Sequence, residues 1–225
     1  MGEKKTTKRL VFHGKAPGDS TSQTAEAAST SGHRYIYLLS PAHAGGKRAR
    51  MLFRPEAQFE LAERLRTTGI SIGEAFSFMS PLYFRGKLAY ASAFANTPAG
   101  IPGAHLITQS RGLLRPETIV SFADLSELAN VRINLQDPAY RDSLERDLRR
   151  LSETIGQDFR VVLLGSIATR KYIPLLLEVL GERLLVPRKF IGMGNMSRGA
   201  LLLRCSRERS ELEYVTVEQM LSQEA

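Results

Sequence analysis

Apolar and polar residues alternate along this chain in blocks whose lengths and spacings predict both strands and helices. Four short runs are dense in large apolar side chains and are bounded by polar or glycine-containing segments, as buried strands are. These runs lie at residues 35–39, 106–108, 159–164 and 200–205.

Helical periodicity occupies longer segments between these runs. Apolar residues recur at intervals of three and four in residues 55–66, 82–94, 138–155 and 174–180. The third helix is the most strongly indicated, because Asp137 is a capping residue type, Pro138 suits the first helical position and Gly156 suits the end. Its buried stripe is predicted to contain Leu144, Leu148, Leu151 and Ile155.

The order of these elements predicts the fold class. Because strands alternate with helices, we expect an α/β fold with a mixed, mostly parallel sheet flanked by helices. A chain of 225 residues with 43% hydrophobic content can bury one substantial core. We therefore expect a single compact domain over residues 35–225.

The first 34 residues differ in composition from the rest. They are rich in Ser, Thr, Ala, Gly and Lys and hold few large apolar side chains, so burial cannot offset the entropy cost of ordering them. We expect a disordered basic tail in which residues 10–13 are the only possible strand. We also expect that deleting the tail leaves the melting temperature nearly unchanged.

Composition also limits the chemistry and the location. The single cysteine, Cys205, excludes an internal disulfide, and we expect it to be buried in its apolar run. Four histidines without ligand-like spacing argue against a structural metal site. No apolar stretch approaches the roughly 20 residues that span a bilayer, and the N-terminus lacks the apolar core of a signal peptide. We expect a soluble, cytoplasmic protein without a cofactor or a metal.

The chain carries a formal net charge of +8, and the tail's +3 leaves +5 for residues 35–225. Such an excess favours a polyanionic partner, either nucleic acid or a phosphate-bearing small ligand. Many basic proteins bind no polyanion, so charge alone does not decide the partner.

Basic residues follow three of the predicted strands. Residues 40–50, 110–117 and 165–171 each begin near a strand end and combine small residues with Lys or Arg. Ligands of parallel sheets bind beyond the carboxyl ends of strands, where loops and helix starts present free backbone amides to anions. We therefore expect these loops to converge on one cationic cleft, although cations also occur in exposed turns without a binding role.

Two further segments are rich in candidate residues. Residues 190–205 hold three glycines beside polar side chains and precede a predicted strand, whereas the dinucleotide-binding fingerprint precedes a helix. Residues 83–91 interleave Arg85 and Lys87 with aromatic rings, a pattern typical of base stacking and equally of helix packing. No segment has the spacing of an ATP-binding loop.

These segments yield two groups of candidate binding residues. The cations expected to contact nucleic acid are Arg48, Arg50, Arg85, Lys87, Arg115, Arg170 and Lys171. The small and polar residues expected to bind the ligand are Ser40, Gly45, Gly46, Asn195 and Ser197. We further expect Lys47, Arg111 and Arg198 to line one cleft, with no other partner near any of them.

Five segments carry a family resemblance. LLSPAH, RGKLAYASAF, LITQSRGLLRPE, INLQDPAY and RKFIGMGNMSRGALLLR follow one another between residues 35 and 205. Their order and content resemble the YaaA family of peroxide-stress, DNA-associated proteins. The chain departs from that pattern where TQSRG replaces SGLYG, where Ala139 replaces the acid before Tyr140, and where no arginine-rich segment follows Pro116. The resemblance indicates a distant relative.

The resemblance implies a compact α/β fold with a basic cleft and an association with DNA. A related branch accompanies systems that write 7-deazaguanine bases into DNA, which implies hydration of 7-cyano-7-deazaguanine to its amide. That reaction needs an activated nucleophile or water and a donor to the developing nitrogen anion. The candidate catalytic residues are then Lys47, Arg111 and Arg198 as donors and Glu117 as the acid or base.

Two other functions remain open from the sequence. One is DNA binding through a cationic groove without any chemistry, which needs only a surface for the phosphate backbone. The other is an enzyme that acts on a free nucleotide or a similar anion. An enzyme acting on a base in duplex DNA would differ from both, because it must extrude the base into a pocket.

Overall fold

Two sheets contain the strands of this computed structural model, which describes residues 34–131, 133–167 and 171–223. The larger sheet comprises β1 (Arg34–Leu39), β3 (Ala104–Ile107), β4 (Leu113–Leu114), β6 (Phe159–Leu164), β7 (Leu184–Pro187) and β8 (Tyr214–Thr216). The smaller sheet pairs β2 (Ile70–Ser71) with β5 (Ile119–Val120) in antiparallel orientation. Apart from Arg34, the expected tail and its possible strand at residues 10–13 lie outside the described residues.

The larger sheet has the strand order β4-β3-β1-β6-β7-β8. Its four inner strands are parallel, whereas the edge strands β4 and β8 run antiparallel to their neighbours. The prediction of a mixed, mostly parallel sheet is confirmed. The chain passes from β1 to β3 on one side and later returns to β6 on the other side of β1. The strand order therefore reverses between β1 and β6, the position where α/β sheets bind ligands.

The helices of the described residues are α1 (Lys47–Leu52), α2 (Glu60–Thr67), α3 (Ile72–Met79), α4 (Tyr83–Phe94), α5 (Phe122–Asn130), α6 (Pro138–Ile155), α7 (Ile173–Leu180), α8 (Asn195–Glu208) and α9 (Val217–Gln223). The helices predicted over residues 82–94, 138–155 and 174–180 are confirmed. The helix predicted over residues 55–66 begins only at Glu60. Within the described part of the chain, no helix combines the length and apolar character needed to cross a membrane.

The inner strands are buried on both faces. All side chains from Ile36 to Leu39 in β1 and from Val161 to Leu164 in β6 have no exposed area. Because successive side chains of a strand point to opposite faces, helices must cover both faces of the sheet. The sheet is thus flanked by helices, as the alternation of elements predicts.

The ends of α6 follow the sequence signals. The Asp137 side chain accepts a hydrogen bond from the Ala139 amide at 3.0 Å, and Pro138 occupies the first helical position. Gly156 ends the helix with a φ of 65°, a conformation that glycine adopts without strain. Local sequence alone therefore fixes this helix.

The strand predicted over residues 200–205 is wrong, because these residues belong to α8. Cys205 is buried as expected, but on a helix. The α8 backbone lies close to α4 at two glycines, since a Cβ on Gly86 would lie 2.7 Å from the carbonyl oxygen of Gly199. An apolar run of this length is compatible with either a strand or a buried helix. The contact with α4 joins residues far apart in sequence, so the run itself does not reveal it. The glycine-rich segment before α8 consequently follows a strand and opens a helix.

Candidate functional site

A cleft of about 900 Å³ opens at the carboxyl ends of the parallel strands. Its wall includes residues 40–46 after β1, Gln109 after β3, Ser166, Lys171 and Tyr172 after β6, and Asn195 at the start of α8. These segments meet because β3, β1, β6 and β7 are parallel, so their carboxyl ends share one edge of the sheet. The cleft thus lies where the strand order reverses, as ligand sites of α/β sheets do.

Ser40 and Lys87 form the polar centre of this cleft. Ser40 is the first residue after β1, and its side chain is nearly buried. Lys87 extends from α4, and its Nζ donates a hydrogen bond to Ser40 Oγ at 3.0 Å, while Ser40 Oγ donates to the carbonyl oxygen of Leu164 at 3.4 Å. The same Nζ also donates a hydrogen bond to the backbone carbonyl of Ser40. A hydroxyl and an amine are therefore held within hydrogen-bonding distance at the cleft wall.

Burial favours the neutral form of Lys87, because only 1% of the residue is exposed. Its Nζ lies 4.5 Å from the ring centre of Tyr83 and 4.9 Å from that of Phe84, contacts that stabilise the charged form and oppose the effect of burial. No carboxylate of the described residues forms a salt bridge with Lys87. Burial lowers the pKa of the Lys87 amine to about 7. At neutral pH a large fraction of this lysine can accept a proton.

Tyr172 and Gly165 shape the other side of Ser40. The Tyr172 hydroxyl donates a hydrogen bond to the carbonyl oxygen of Ser166 at 3.1 Å. Burial raises the pKa of Tyr172 to about 12, so the phenol stays protonated at neutral pH. A Cβ on Gly165 would lie 3.0 Å from this hydroxyl and 3.1 Å from Ser40 Cβ, which shows how closely β1 and β6 end together.

The described part of the cleft wall holds basic but no acidic side chains. Lys171 and Lys87 line it without any Asp or Glu, and burial leaves Lys87 only partly charged at pH 7. Across the described ranges, no group of three or more His, Cys, Asp or Glu side chains could hold a metal ion. A ligand of this cleft is therefore expected to be anionic or electron-rich.

The amino terminus of α8 adds backbone donors to the wall. Gly194 occupies the N-cap without a side-chain hydrogen bond, and the first turn holds no acidic residue. The first amides of a helix have no acceptor within the helix, and the helix dipole favours an anion beside them. Asn195 and Met196 of this turn both line the cleft.

Gln109 is a site residue that the sequence analysis did not identify. It follows β3, lines the cleft and is only 5% exposed. Its Oε1 is buried and has no hydrogen-bond partner among the described residues. An unsatisfied buried amide costs about 1–3 kcal/mol, which ligand binding can recover.

The structure brings part of the predicted site together. Six candidate residues line the cleft: Ser40, Gly45, Gly46, Lys87, Lys171 and Asn195. Residues 40–50 and 165–171 both contribute to its wall, whereas residues 110–117 do not. His43 and Tyr172 also line it without having been singled out from the sequence, and so does Tyr83, one of the aromatic residues in the segment that was predicted to stack a base or pack a helix.

Arg111 requires a correction. The segment LITQSRGLL forms the β3–β4 hairpin, and Arg111 lies in its turn. Its guanidinium lies 2.7 Å from carboxylate oxygens of both Asp124 and Glu127 on α5. The expectation that Arg111 is a cation without a partner is wrong, because it connects the hairpin to a helix.

Lys47, Arg111 and Arg198 were expected to line one cleft, and none of the three is among the residues that line this one. Lys47 and Arg50 line a separate groove on α1. Arg198 donates a hydrogen bond to the carbonyl oxygen of Phe190 at 2.8 Å, and its guanidinium stacks on that ring.

The remaining candidates lie elsewhere. The Arg48 guanidinium lies 5.6 Å from the ring centre of Phe78 on α3. Four others are exposed residues outside the cleft wall: Arg85, Arg115, Glu117 and Ser197. Arg170 lies outside the described residues. No carboxylate is therefore placed in the cleft to act as the acid or base.

Comparisons with known protein families, with curated proteins and with solved structures find no match to this chain. The resemblance to the YaaA family therefore stays a prediction. Function has to be inferred from the geometry of the cleft.

Proposed function

We propose that this protein is an enzyme that adds water to an electrophilic carbon, with Ser40 as the nucleophile and Lys87 as the general base. The observation that carries the proposal is the 3.0 Å contact between Lys87 Nζ and Ser40 Oγ in an open cleft. A serine hydroxyl is a weak nucleophile until a neighbouring base accepts its proton. The lowered pKa of Lys87 makes it such a base at neutral pH.

The proton transfers follow from this pair. Neutral Lys87 accepts the hydroxyl proton as Ser40 Oγ bonds to the substrate carbon, and the resulting ammonium then donates a proton to the substrate atom that becomes negative. Water next adds to the covalent intermediate as Lys87 accepts its proton, and the Lys87 ammonium gives that proton to Ser40 Oγ as the bond between Oγ and the substrate carbon breaks. Both side chains return to their starting state.

The proposed substrate is a modified base in DNA, as the family resemblance implies. With 7-cyano-7-deazaguanine, Ser40 Oγ would bond to the nitrile carbon while its proton passes through Lys87 to the nitrile nitrogen, giving an imidate ester. Addition of one water and release of Ser40 Oγ would leave the amide. The cationic wall around Lys171 supports a polyanionic substrate.

Labelling with a fluorophosphonate tests the nucleophile without knowledge of the substrate. The probe should phosphonylate Ser40 in the wild-type protein, which peptide mass spectrometry would locate. Ser40→Ala and Lys87→Met should both abolish labelling. The matched controls Ser206→Ala and Lys189→Met change the same residue types outside the cleft and should label normally. Labelling that persists in Ser40→Ala would contradict the proposal.

The substrate is tested with an oligonucleotide that contains one 7-cyano-7-deazaguanine. Nucleoside mass spectrometry after incubation should detect the corresponding amide with the wild-type protein and not with Ser40→Ala. If Ser40 is labelled but the nitrile persists, the assignment of Ser40 as nucleophile is supported and the assignment of the nitrile as substrate is refuted.

A second function, DNA binding without chemistry, is favoured by the separate groove on α1. Lys47, Arg50 and Arg54 line this groove, and none of them forms an ion pair within the described residues. Three exposed cations beside one another suit contacts to a phosphate backbone. The groove lies next to residues 45–46, which line the cleft, so the same surface would also serve an enzyme acting on DNA.

The salt dependence of duplex binding tests this groove. Affinity should fall as salt rises, and neutralising Lys47, Arg50 and Arg54 together should reduce the slope by about two to three counterions. A control triple variant at three exposed cations outside the groove, Arg150, Lys189 and Arg207, should change the slope less. Binding with this dependence but without Ser40 labelling would favour the non-catalytic function.

A further inference from the structure

The wall of the cleft holds two features that the catalytic pair does not use. One is the buried side-chain amide of Gln109, whose Oε1 has no hydrogen-bond partner in the described chain. The other is the amino terminus of α8, a 14-residue helix without a side-chain cap. Gln109 is 95% buried and lines the cleft, so a polar ligand bound there would give this amide the partner that it lacks within the described chain.

The two features line the same cleft as Ser40. Gln109 follows β3, whereas α8 begins at Asn195, after the segment 188–194 that follows β7. Ser40 follows β1, the strand that pairs with β3.

The chemistry of the two ends differs. A primary amide offers one acceptor oxygen and two donor hydrogens, which suits the edge of a heterocyclic base. The first amides of α8 are donors only, and together with Lys171 they suit a phosphate. A nucleotide carries both groups, a base and a phosphate, on one sugar, and both features line one cleft.

We propose that the cleft binds one nucleotide unit, with Gln109 hydrogen-bonded to the edge of the base and the amino terminus of α8 bound to its phosphate. Gln109 is then a specificity-determining residue, and the base lies beside Ser40. This inference rests on the proposed function for the position of the reacting group, but nucleotide binding itself does not require that Ser40 react.

Calorimetric binding to the full chain separates the two ends. The probes are 2′-deoxyguanosine 5′-monophosphate, deoxyribose 5-phosphate, which lacks the base, and deoxyguanosine, which lacks the phosphate. The wild-type protein should bind the complete nucleotide at least about fivefold more tightly than either fragment, as one well-placed pair of hydrogen bonds provides.

Variants of Gln109 and Asn195 test separately the part of the cleft proposed to bind the base and the part proposed to bind the phosphate. Gln109→Leu should remove the advantage of the nucleotide over deoxyribose 5-phosphate and leave binding of the sugar phosphate unchanged. The matched control Gln157→Leu alters an exposed glutamine outside the cleft and should bind as the wild type does. If Gln109→Leu retains the full preference for the nucleotide, Gln109 does not bind the base.

Asn195→Asp tests the phosphate end. A carboxylate in the first turn favours the helix but repels a phosphate there, so the fold should persist while both phosphate probes bind about tenfold more weakly. Deoxyguanosine binding should be unchanged. The control Asn96→Asp carries the same charge change near Tyr35, at the opposite edge of the sheet from the cleft. Equal losses in the two variants would overturn the phosphate assignment.

Fluorophosphonate labelling of the wild-type protein, compared with its calorimetric preference for the nucleotide, keeps the two proposals apart. Labelling reports only the reactivity of Ser40 beside Lys87, whereas the calorimetric preference reports only the binding of base and phosphate. Selective nucleotide binding without any labelling would refute the catalytic pair and support the nucleotide site. Labelling without preference for the nucleotide over its fragments would refute the nucleotide site alone.

Discussion

Replacing Lys87 by methionine should stabilise the protein at neutral pH, and the gain should shrink as pH rises. The pKa of Lys87 is about 7 in the folded protein against 10.5 for an unperturbed lysine. Between pH 7 and pH 10.5 the Lys87 amine is mostly protonated in the unfolded chain and mostly neutral in the folded protein. The wild-type protein therefore gains stability as pH rises from about 7 towards 10.5, and below pH 7 the full cost of burying the charge is present.

The magnitude follows from the same two pKa values. Each unit of pKa difference corresponds to about 1.4 kcal/mol. Integrated over the titration, the lowered pKa of Lys87 reduces the unfolding free energy of the wild-type protein by about 4 kcal/mol at pH 7 and by about 2 kcal/mol at pH 9. The difference in unfolding free energy between Lys87→Met and wild type should therefore fall by about 2 kcal/mol over this interval. The lost hydrogen bonds to Ser40 offset the gain by about 1 kcal/mol each.

Urea denaturation of both proteins from pH 6 to pH 9 measures this difference, and other titrating groups cancel because they are common to both chains. The control Lys189→Met replaces an exposed lysine and should show no such pH dependence. A difference between Lys87→Met and wild type that stays constant from pH 7 to pH 9 would refute a lowered pKa for Lys87. The assignment of Lys87 as a base at neutral pH would then lose its physical support.

Three further variants test the packing and the corrected residues. Gly199→Ala should lower the unfolding free energy by about 1–3 kcal/mol, because the added Cβ would lie 2.8 Å from the backbone of Leu82. Thermal unfolding measures this loss, with Ala200→Gly as the control. Arg111→Met should lower the unfolding free energy by at most about 1 kcal/mol, since the two ion pairs of Arg111 are partly exposed. Ser40 should still be labelled in this variant, and a loss of labelling would indicate a catalytic role for Arg111. Asp137→Ala should cost about 1 kcal/mol in urea denaturation through loss of the helix cap.

The sequence predicts those elements whose signals are local. The whole of α6 follows from its cap, its proline and its terminal glycine, and β6 follows from one buried apolar run. The strand predicted over residues 200–205 is wrong because an apolar run of this length also fits a buried helix, and these residues belong to α8. The partners of Arg111 were missed because α5, which carries Asp124 and Glu127, was not predicted as a helix.

The sequence predicts where the candidate site lies better than it predicts the chemical roles of the residues in it. The rule that ligands bind at the carboxyl ends of parallel strands identifies Ser40 and Lys171 from the sequence. Lys87 was singled out as a cation for nucleic acid, whereas the structure buries it. Its position is three residues after Phe84 and four before Ala91, which are both buried, and this spacing already places Lys87 on the apolar face of α4. Gln109 gives no comparable signal, because its burial arises from long-range packing.

The rate of Ser40 phosphonylation as a function of pH tests the catalytic pair most directly. With Lys87 as the base, the rate in the wild-type protein should rise through a single titration near pH 7 and then level off, because only the neutral amine accepts the serine proton. Lys87→Met should lose this reaction at every pH, while Lys189→Met keeps the profile. A rate that shows no titration near neutral pH, or that survives in Lys87→Met, would contradict the assignment of Ser40 and Lys87 as nucleophile and base.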